Sequence, residues 1–318
     1  MTPRDNLRAT LVAIIWGANF VVIDEGLKGF PPFLLLTVRF TLVAFPLIFF
    51  VPKPGPWRQI LLIGAFLSLG QFTLLYLALH LGMPAGLASL LVQAQVICTI
   101  AIARVVLKER PTRQQFTGVM IGIVGLSVLV VGHGPDTPLG PVALAIGACV
   151  CWAIGNVFMR RSEITSGFGL TVWSAVLVPI PSLALALLIN GPHAIGHAVS
   201  HVGWLTVGST LYTVIGASLF GYGIWNSLLS RYPVGSVVPF TLLVPIVGIA
   251  TAWIVLGQEP TVTELIGGII LLAGVATATL QRPGARPVLS NDDPYPSSEP
   301  PAPPPLDCQL SPSPASPA

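Results

Sequence analysis

Several long apolar stretches of this sequence carry an amide side chain near the middle. These amides are Asn19, Gln71, Gln93, Gln95, Asn156 and Asn226. In an apolar environment an amide needs a hydrogen-bonding partner or contact with water, so such residues are typical of polar cavities. Amide side chains inside membrane helices also form hydrogen bonds to neighbouring helices without contacting any solute. The pattern predicts a binding site for a small polar solute, with interhelical bonding as the alternative for each amide.

Two of these amides follow a tryptophan at helical spacing. The sequence WGANF places Trp16 just before Asn19, and the sequence WAIGNVF places Trp152 just before Asn156. Residues three or four apart share one face of a helix, so each tryptophan points in the same direction as its asparagine. We expect these two pairs to line the site.

Gln93 and Gln95 are spaced differently. Residues two apart on a helix point in different directions. We therefore expect at most one of these glutamines to face a cavity fully, while the other bonds a neighbouring helix.

Arg39 is a charged residue inside an apolar stretch, TVRFTLVAF. On membrane-insertion scales a cation at the centre of a helix costs about 2.5–3.5 kcal/mol, so it needs an offsetting partner. Asp24 and Glu25 are the expected partners, because they end the preceding apolar stretch and a short connection follows them. We favour an ion pair that ties this helical hairpin over a direct contact between Arg39 and the solute.

The composition is that of an integral membrane protein. Of the 318 residues, 53% are hydrophobic and 8% are charged, whereas soluble proteins have about 25% charged residues. Crossing a bilayer takes about 20 apolar residues in a helix, the conformation that satisfies its own backbone in lipid. We predict an all-α polytopic membrane protein. Its ten predicted membrane helices are residues 8–27, 33–51, 59–79, 84–107, 114–132, 139–159, 169–190, 203–226, 233–256 and 264–281.

Lysine and arginine are distributed unevenly between the two ends of these helices. Of the 15 lysine and arginine residues, Lys28 alone lies on one side, Arg39 lies within a helix, and all others lie on the opposite side. Cytoplasmic loops collect cations, so both termini are predicted to be cytoplasmic. The net charge of +3 is then a topology signal, and no nucleic-acid partner is expected.

The sequence also contains two similar halves. WGANF returns as WAIGNVF, LYLALHLGMPAG as IWNSLLSRYPVG, and LKERPTRQQFTG as LGQEPTVTELIG. Each half holds five predicted helices, and an odd number inverts the second half in the bilayer. Inverted repeats are typical of alternating-access carriers, with the site between the halves. We predict a first repeat over 1–132, a second over 139–281, a central cavity between them, and a disordered Pro-rich cytoplasmic tail over 282–318.

Three aromatic residues with polar ring atoms accompany the amides. They are Tyr76, Tyr222 and Trp225, and the repeat aligns Tyr76 with Trp225. Amides that bind an ammonium and a carboxylate, beside rings that pack on a side chain, suit an amino-acid-like solute. An aromatic belt at the membrane surface is the alternative. We expect the three residues to line the site.

The sequence resembles the EamA-type carriers of the drug/metabolite transporter superfamily in four stretches that follow in the same order. They are WGANFVVIDEGL, PPFLLLTVRFTLVAFPLIFF, GMPAGLASLLVQAQ and GYGIWNSLLSRYPVGSVVPFTLLVPIVG. It covers about residues 7–281. The resemblance implies a multi-pass inner-membrane carrier, with helices one to four and six to nine around the cavity. It further implies export of small amino-acid metabolites such as O-acetylserine or cysteine. Purines, nucleosides, other amino acids and drug-like compounds are the alternative solutes.

The last helical hairpin departs from the family pattern. Family members usually have a glutamate near its start, as Glu109 stands in the first half. Here LGQEP offers either Gln258 or Glu259 at that place, so any role of this carboxylate is open.

Proline and glycine indicate bends and close packing. Pro84 and Pro233 stand at the start of predicted helices four and nine, where bends would let these helices gate. Glycines in predicted helices five and ten indicate close packing of helices. Packing within a monomer is favoured, and a homodimer through these helices is the alternative.

No metal site, cofactor or catalytic residue is predicted. The sequence HAIGHAVSH repeats histidine at one-turn spacing, but neither cysteine nor a carboxylate accompanies it, so a short helix on the membrane surface is favoured over a metal site. No nucleophile–base pair stands at usable helical spacing, which argues against an enzyme. A receptor or scaffold that binds partners through its tail is the remaining alternative, and it would transport nothing.

Overall fold

The computed structural model of this chain describes residues 1–45, 47–108, 111–131, 139–164, 166–232 and 234–279. Within these ranges the fold is all-helical, and ten helices are long and apolar enough to cross a membrane. The predicted tail, Glu109 and Pro233 lie outside the described residues. The ten membrane helices, α1 to α10 in chain order, are Pro3–Gly29, Pro32–Phe49, Trp57–His80, Ala85–Val106, Arg113–Val131, Leu139–Arg160, Gly167–Ser200, Trp204–Leu229, Val238–Leu256 and Val262–Thr279. The ten predicted helices are confirmed.

The ends of α1 follow from local capping. Helix α1 begins before its apolar stretch because the hydroxyl of Thr2 accepts a hydrogen bond from the backbone nitrogen of Asp5 at 3.2 Å. Pro3 occupies the first helical turn, where its missing N–H is not needed. The helix stops at Gly29, and α2 starts at Pro32 after a short connection.

Helix α7 is interrupted next to its predicted end at residue 190. Gly191 has a φ of 77° inside it, and Pro192 follows, so the chain kinks there and then resumes a helix to Ser200. Ile195 beyond the kink is buried in the hydrophobic core, whereas the histidines of HAIGHAVSH are exposed. The residues after Gly191 therefore form a short further helix, as predicted, with one side packed on the protein.

Helices α3 and α8, which occupy equivalent places in the two halves, each contain a wide π-helical segment. These segments are Ala65–Gly70 in α3 and Tyr212–Gly221 in α8. Such turns are rare and frequently lie at functional sites. Both segments belong to helices that the resemblance places around the cavity.

Helices of the first half pack mainly on helices of the second half. Helix α1 contacts α8 and α9, α2 contacts α7, and both α3 and α4 contact α6. Small residues allow the closest approach: a Cβ atom added to Gly17 of α1 would lie 2.6 Å from the carbonyl oxygen of Val244 in α9. The two halves therefore interlock.

Helices α5 and α10 meet along a row of glycines, which we call the glycine seam. A Cβ atom added to Gly118 would lie 2.5 Å from the backbone nitrogen of Ala278. One added to Gly267 would lie 3.0 Å from the backbone nitrogen of Leu129, so the two helices run antiparallel. The predicted glycine packing occurs within the chain. The seam consists of Gly118, Gly122, Gly125, Gly267 and Gly274.

Candidate solute-binding site

Trp16 of α1 packs against two aromatic rings of α8. The centroid of the Trp16 ring lies 5.1 Å from that of Tyr222 and 5.3 Å from that of Trp225, distances typical of stabilising aromatic pairs. The indole nitrogen of Trp16 also donates a hydrogen bond of 3.0 Å to the carbonyl of Ala217, in the π-helical segment. The structure thus brings together three predicted site residues. We call Trp16, Tyr222 and Trp225 the aromatic group.

Arg39 lies in the interior, where α2, α3 and α8 meet. Its Nη1 donates to the hydroxyl of Tyr76 at 2.8 Å, and its Nη2 donates to the hydroxyl of Ser218 at 3.1 Å. The guanidinium carbon lies 4.3 Å from the centroid of the Phe72 ring, a cation–π contact. Arg39 is 3% exposed. It therefore connects a helix of the second half to two helices of the first.

The predicted ion pair of Arg39 with Asp24 or Glu25 is wrong. Glu25 pairs with Lys28 on its own helix, and within the described residues Arg39 makes no ion pair. Helix α2 begins at Pro32, so Arg39 lies about 10 Å along it from the α1–α2 connection. At that depth its side chain reaches α3 and α8 rather than the acidic end of α1.

Asn19 lies one turn beyond Trp16 on α1 and is buried. Its side-chain oxygen has no hydrogen-bond partner within the part of the chain that the structure describes. Leaving a buried polar group unpaired costs about 1–3 kcal/mol. A role in packing alone does not explain why a residue with this cost stands here. An amide oxygen in this state is able to accept a hydrogen bond from an ammonium or hydroxyl group of a solute.

Asn156 has different surroundings. Its side-chain nitrogen donates to the amide oxygen of Gln95 at 3.3 Å and to the hydroxyl of Thr99 at 3.5 Å, both on α4. Trp152, on the same helix as Asn156, is half-buried against the hydrophobic core. These contacts fit the interhelical alternative, so the two Trp–Asn pairs are not equivalent in their bonding.

The remaining predicted amides are spread through the fold. Gln93 of α4 donates to the carbonyl of Thr241 in α9 at 3.2 Å. Gln71 is buried directly after the π-helical segment of α3. Asn226 of α8 lies against Gly167 at the start of α7, where an added Cβ atom would be 2.6 Å from the Asn226 side-chain oxygen. None of these contacts involves the aromatic group.

Sequence reasoning did not single out Ser218 or Phe72, the further contacts of Arg39. A serine in an apolar helix commonly bonds its own backbone, as Ser218 also does to the carbonyl of Thr213 at 2.9 Å. The residue type therefore gives no indication that Ser218 contacts Arg39. Another hydroxyl contact between the halves joins Ser68 of α3 to Ser174 of α7 at 3.0 Å.

At the end of the molecule that holds the N-terminus, Asp5 joins α1 to the end of α8. The buried carboxylate accepts hydrogen bonds from the hydroxyl of Tyr232 at 2.7 Å, from Arg8 at 2.9 Å, and from two nitrogens of Arg231 at 3.3 Å. We call Asp5, Arg8, Arg231 and Tyr232 the terminal ion cluster. It links the two halves at one end of the membrane helices.

Replacing Asp5 with alanine should lower the melting temperature of the purified protein more than replacing Arg8 with alanine. Loss of Asp5 leaves Arg231 and Tyr232 without their shared acceptor, whereas loss of Arg8, which is largely exposed, leaves Asp5 with its other donors. Thermal unfolding in detergent, followed by circular dichroism, measures both. A shift for Asp5→Ala no larger than that for Arg8→Ala would show that the contacts of Asp5 with Arg231 and Tyr232 add no stability.

At the opposite end, Gln258 caps α4. Its side-chain oxygen accepts a hydrogen bond of 3.0 Å from the backbone nitrogen of Ala85, one of the N–H groups that a helix start leaves unpaired. Glu259 is exposed, so Gln258 is the residue of LGQEP that makes the contact. Pro84 immediately precedes α4 and starts the helix without bending it, while Pro233 lies outside the described residues.

The histidines beyond the kink in α7 contact one another. The rings of His197 and His201 stack with centroids 4.2 Å apart, and both residues are exposed. Across the described ranges, no three or more histidine, cysteine, aspartate or glutamate side chains are grouped to hold a metal ion.

Ten apolar helices with several buried polar groups between them define a multi-pass membrane protein. The EamA-like transporter family matches this chain twice, at residues 6–131 and at residues 139–280. The chain belongs to this family, which confirms the resemblance predicted from the sequence. It is a multi-pass inner-membrane transporter.

Individual proteins are similar to the chain over most of its length. A probable amino-acid metabolite efflux pump of Salmonella typhimurium is 41% identical over 282 residues, 86% of this chain and 94% of that protein. A protein of Escherichia coli with the same description is 37% identical over 282 residues, with the same shares covered. One crystal structure aligns with a TM-score of 0.56 at 18% identity and covers 88% of this chain and 97% of its own, a likeness of fold.

Proposed function

We propose that this chain exports a small amino-acid metabolite from the cytoplasm by alternating access, and that it is not an enzyme. The names of its relatives in Salmonella typhimurium and Escherichia coli support this function. The structural observation that carries it is a set of polar groups in the interior that the protein itself leaves unsatisfied. The side-chain oxygen of Asn19 and the Nε of Arg39 are both buried without a partner among the described residues.

The aromatic group supplies an apolar wall beside these polar groups. Trp16 touches α8 next to Ser218, and Ser218 in turn bonds Arg39. A solute with a charged end and a compact side chain would meet donors, an acceptor and ring surfaces there. We propose Trp16, Asn19, Tyr76, Tyr222 and Trp225 as its contacts, and assign the bonded amides of α4 and α6 to structure.

Alternating access rests on two inverted repeats, α1–α5 and α6–α10. The glycine seam supports this arrangement. The alignment of LKERPTRQQFTG with LGQEPTVTELIG makes Gly267 equivalent to Gly118, and the same offset makes Ala278 equivalent to Leu129. Gly118 lies against Ala278, and Gly267 lies against Leu129, so exchanging the repeats maps one contact onto the other. The distribution of cations supports cytoplasmic termini.

Transport by the purified protein in liposomes tests the function. We expect time-dependent uptake of labelled O-acetylserine or cysteine into proteoliposomes loaded with the unlabelled compound, and none into liposomes without protein. Uptake of nucleosides and not of amino acids would replace the proposed solute. Absence of flux for every compound would favour a receptor or scaffold.

A further inference from the structure

We propose that Arg39 binds the carboxylate of the transported solute, and that this contact determines which solutes are transported. The inference rests on the proposed function and adds a chemical requirement to it. A solute must carry a free carboxylate, and the rest of the molecule then lies toward the aromatic group. Amides and esters of the same amino acid should be transported poorly.

The guanidinium of Arg39 has binding capacity that the protein does not use. An arginine has five N–H donors in a planar fork that matches a carboxylate. Two of them are engaged, by Tyr76 and Ser218, and Nε has no partner although it is buried. No described carboxylate forms an ion pair with Arg39. Buried charges in proteins are normally paired, so this cation lacks an anion that a solute would supply.

The equivalent contact in the other half indicates that no charge is needed to hold α2 and α8 together. Arg39 bonds Ser218 and so joins α2 to α8. In the proposed repeat, the corresponding pair of helices is α7 and α3, which a neutral bond between Ser174 and Ser68 joins. The place in α7 that corresponds to Arg39 falls near Val176, which is apolar. The positive charge is therefore an asymmetric addition to a contact that hydroxyl groups alone are able to make.

The position of Arg39 would also let a bound solute contact helices of both halves. Its partner Ser218 lies in the π-helical segment of α8, and the adjacent Ala217 accepts the hydrogen bond from Trp16. Tyr76 lies on α3, whose own π-helical segment precedes it. An anion bound to Arg39 would thus contact α2 directly, and α3 and α8 through the hydroxyl groups. Such a ligand stabilises whichever state brings these helices closest.

A purely structural role for Arg39 gives different expectations. The ring of Phe72 and two hydroxyl groups would then compensate the charge permanently, and the guanidinium would have no preference among solutes. Removal of Arg39 would weaken the transport of every compound equally, through loss of folded protein. Discrimination between an acid and its amide therefore separates the two roles.

The experiment compares L-cysteine and L-cysteinamide as competitors of labelled L-cysteine uptake under reducing conditions. Wild type, R39Q, R39K and the control S174A are reconstituted in liposomes, and folded protein is quantified by size-exclusion chromatography. In wild type and S174A, the acid should compete at least about 30-fold better than the amide, as expected for an ion pair that loses one partner. R39Q should abolish this preference. R39K should keep part of it, because lysine retains the charge without the fork.

Equal competition by the acid and the amide in wild type would overturn the proposal, and this result requires no variant to fold. The proposal also fails if R39Q keeps the preference for the acid, or if folded R39Q binds both competitors more weakly by the same factor. Failure of wild type to take up cysteine, O-acetylserine or any other amino acid would remove the proposed function itself. Cysteine uptake without acid selectivity would remove only the role of Arg39.

Discussion

Replacing Asn19 with leucine is expected to abolish transport while leaving the protein at least as stable as wild type. The side-chain oxygen of Asn19 is buried without a partner, and removing such a group relieves a penalty of about 1–3 kcal/mol. Leucine has a similar volume but offers no acceptor to a solute. Flux in proteoliposomes should fall to the level of protein-free liposomes, while the melting temperature in detergent stays equal or rises.

Asn156→Leu is the matched control, because it makes the same chemical change in the equivalent position of the second half. Asn156 is bonded to Gln95 and Thr99, and a hydrogen bond between membrane helices contributes about 0.6–1.7 kcal/mol. This variant should therefore melt at a lower temperature than wild type. A folded Asn19→Leu variant with normal flux would exclude Asn19 from the site.

Gly118→Ala is expected to lower the stability of the protein strongly. The added methyl group would lie 2.5 Å from the backbone nitrogen of Ala278 and 2.6 Å from the carbonyl oxygen of Gly274. Backbone atoms of a packed helix have little room to move, so α5 and α10 must separate. Overpacking of this kind costs about 1–3 kcal/mol. Equilibrium unfolding in mixed detergent measures the change.

Gly208→Ala is the control for this substitution. Gly208 lies in α8 with no atom within 4 Å of an added Cβ, so the methyl group should leave the free energy of unfolding unchanged or slightly raised. The glycine seam would lose its structural importance if both variants unfolded at the same detergent composition.

The helices could be predicted from the sequence because a long apolar run has one stable conformation in lipid. Its backbone must be helical, and its length must match the hydrocarbon thickness. The ends were less predictable, since they depend on single residues. Thr2, for example, extends α1 by capping it.

The site could be predicted only in part. The repeat drew attention to Trp16 and Trp225, whose rings are in contact, and their role in binding a solute stays a prediction. The partners of Arg39 depended on how α8 is rotated, and a π-helical segment changes that rotation without a distinctive sequence. The different bonding of Asn19 and Asn156 was equally hidden, because it depends on which polar residues the facing helix presents.

The glycine seam limits how the two repeats could move in the inverted arrangement that we propose. Helices α5 and α10 touch through backbone atoms, with each glycine opposite a particular part of the other helix. Sliding one helix along the other would drive side chains such as Leu129 and Leu271 into the opposing backbone. Tilting keeps the crossing point intact. In the proposed alternating-access cycle, the seam would therefore allow the two repeats to tilt about it, so that the site opens on one side as it closes on the other. It would resist sliding of α5 along α10.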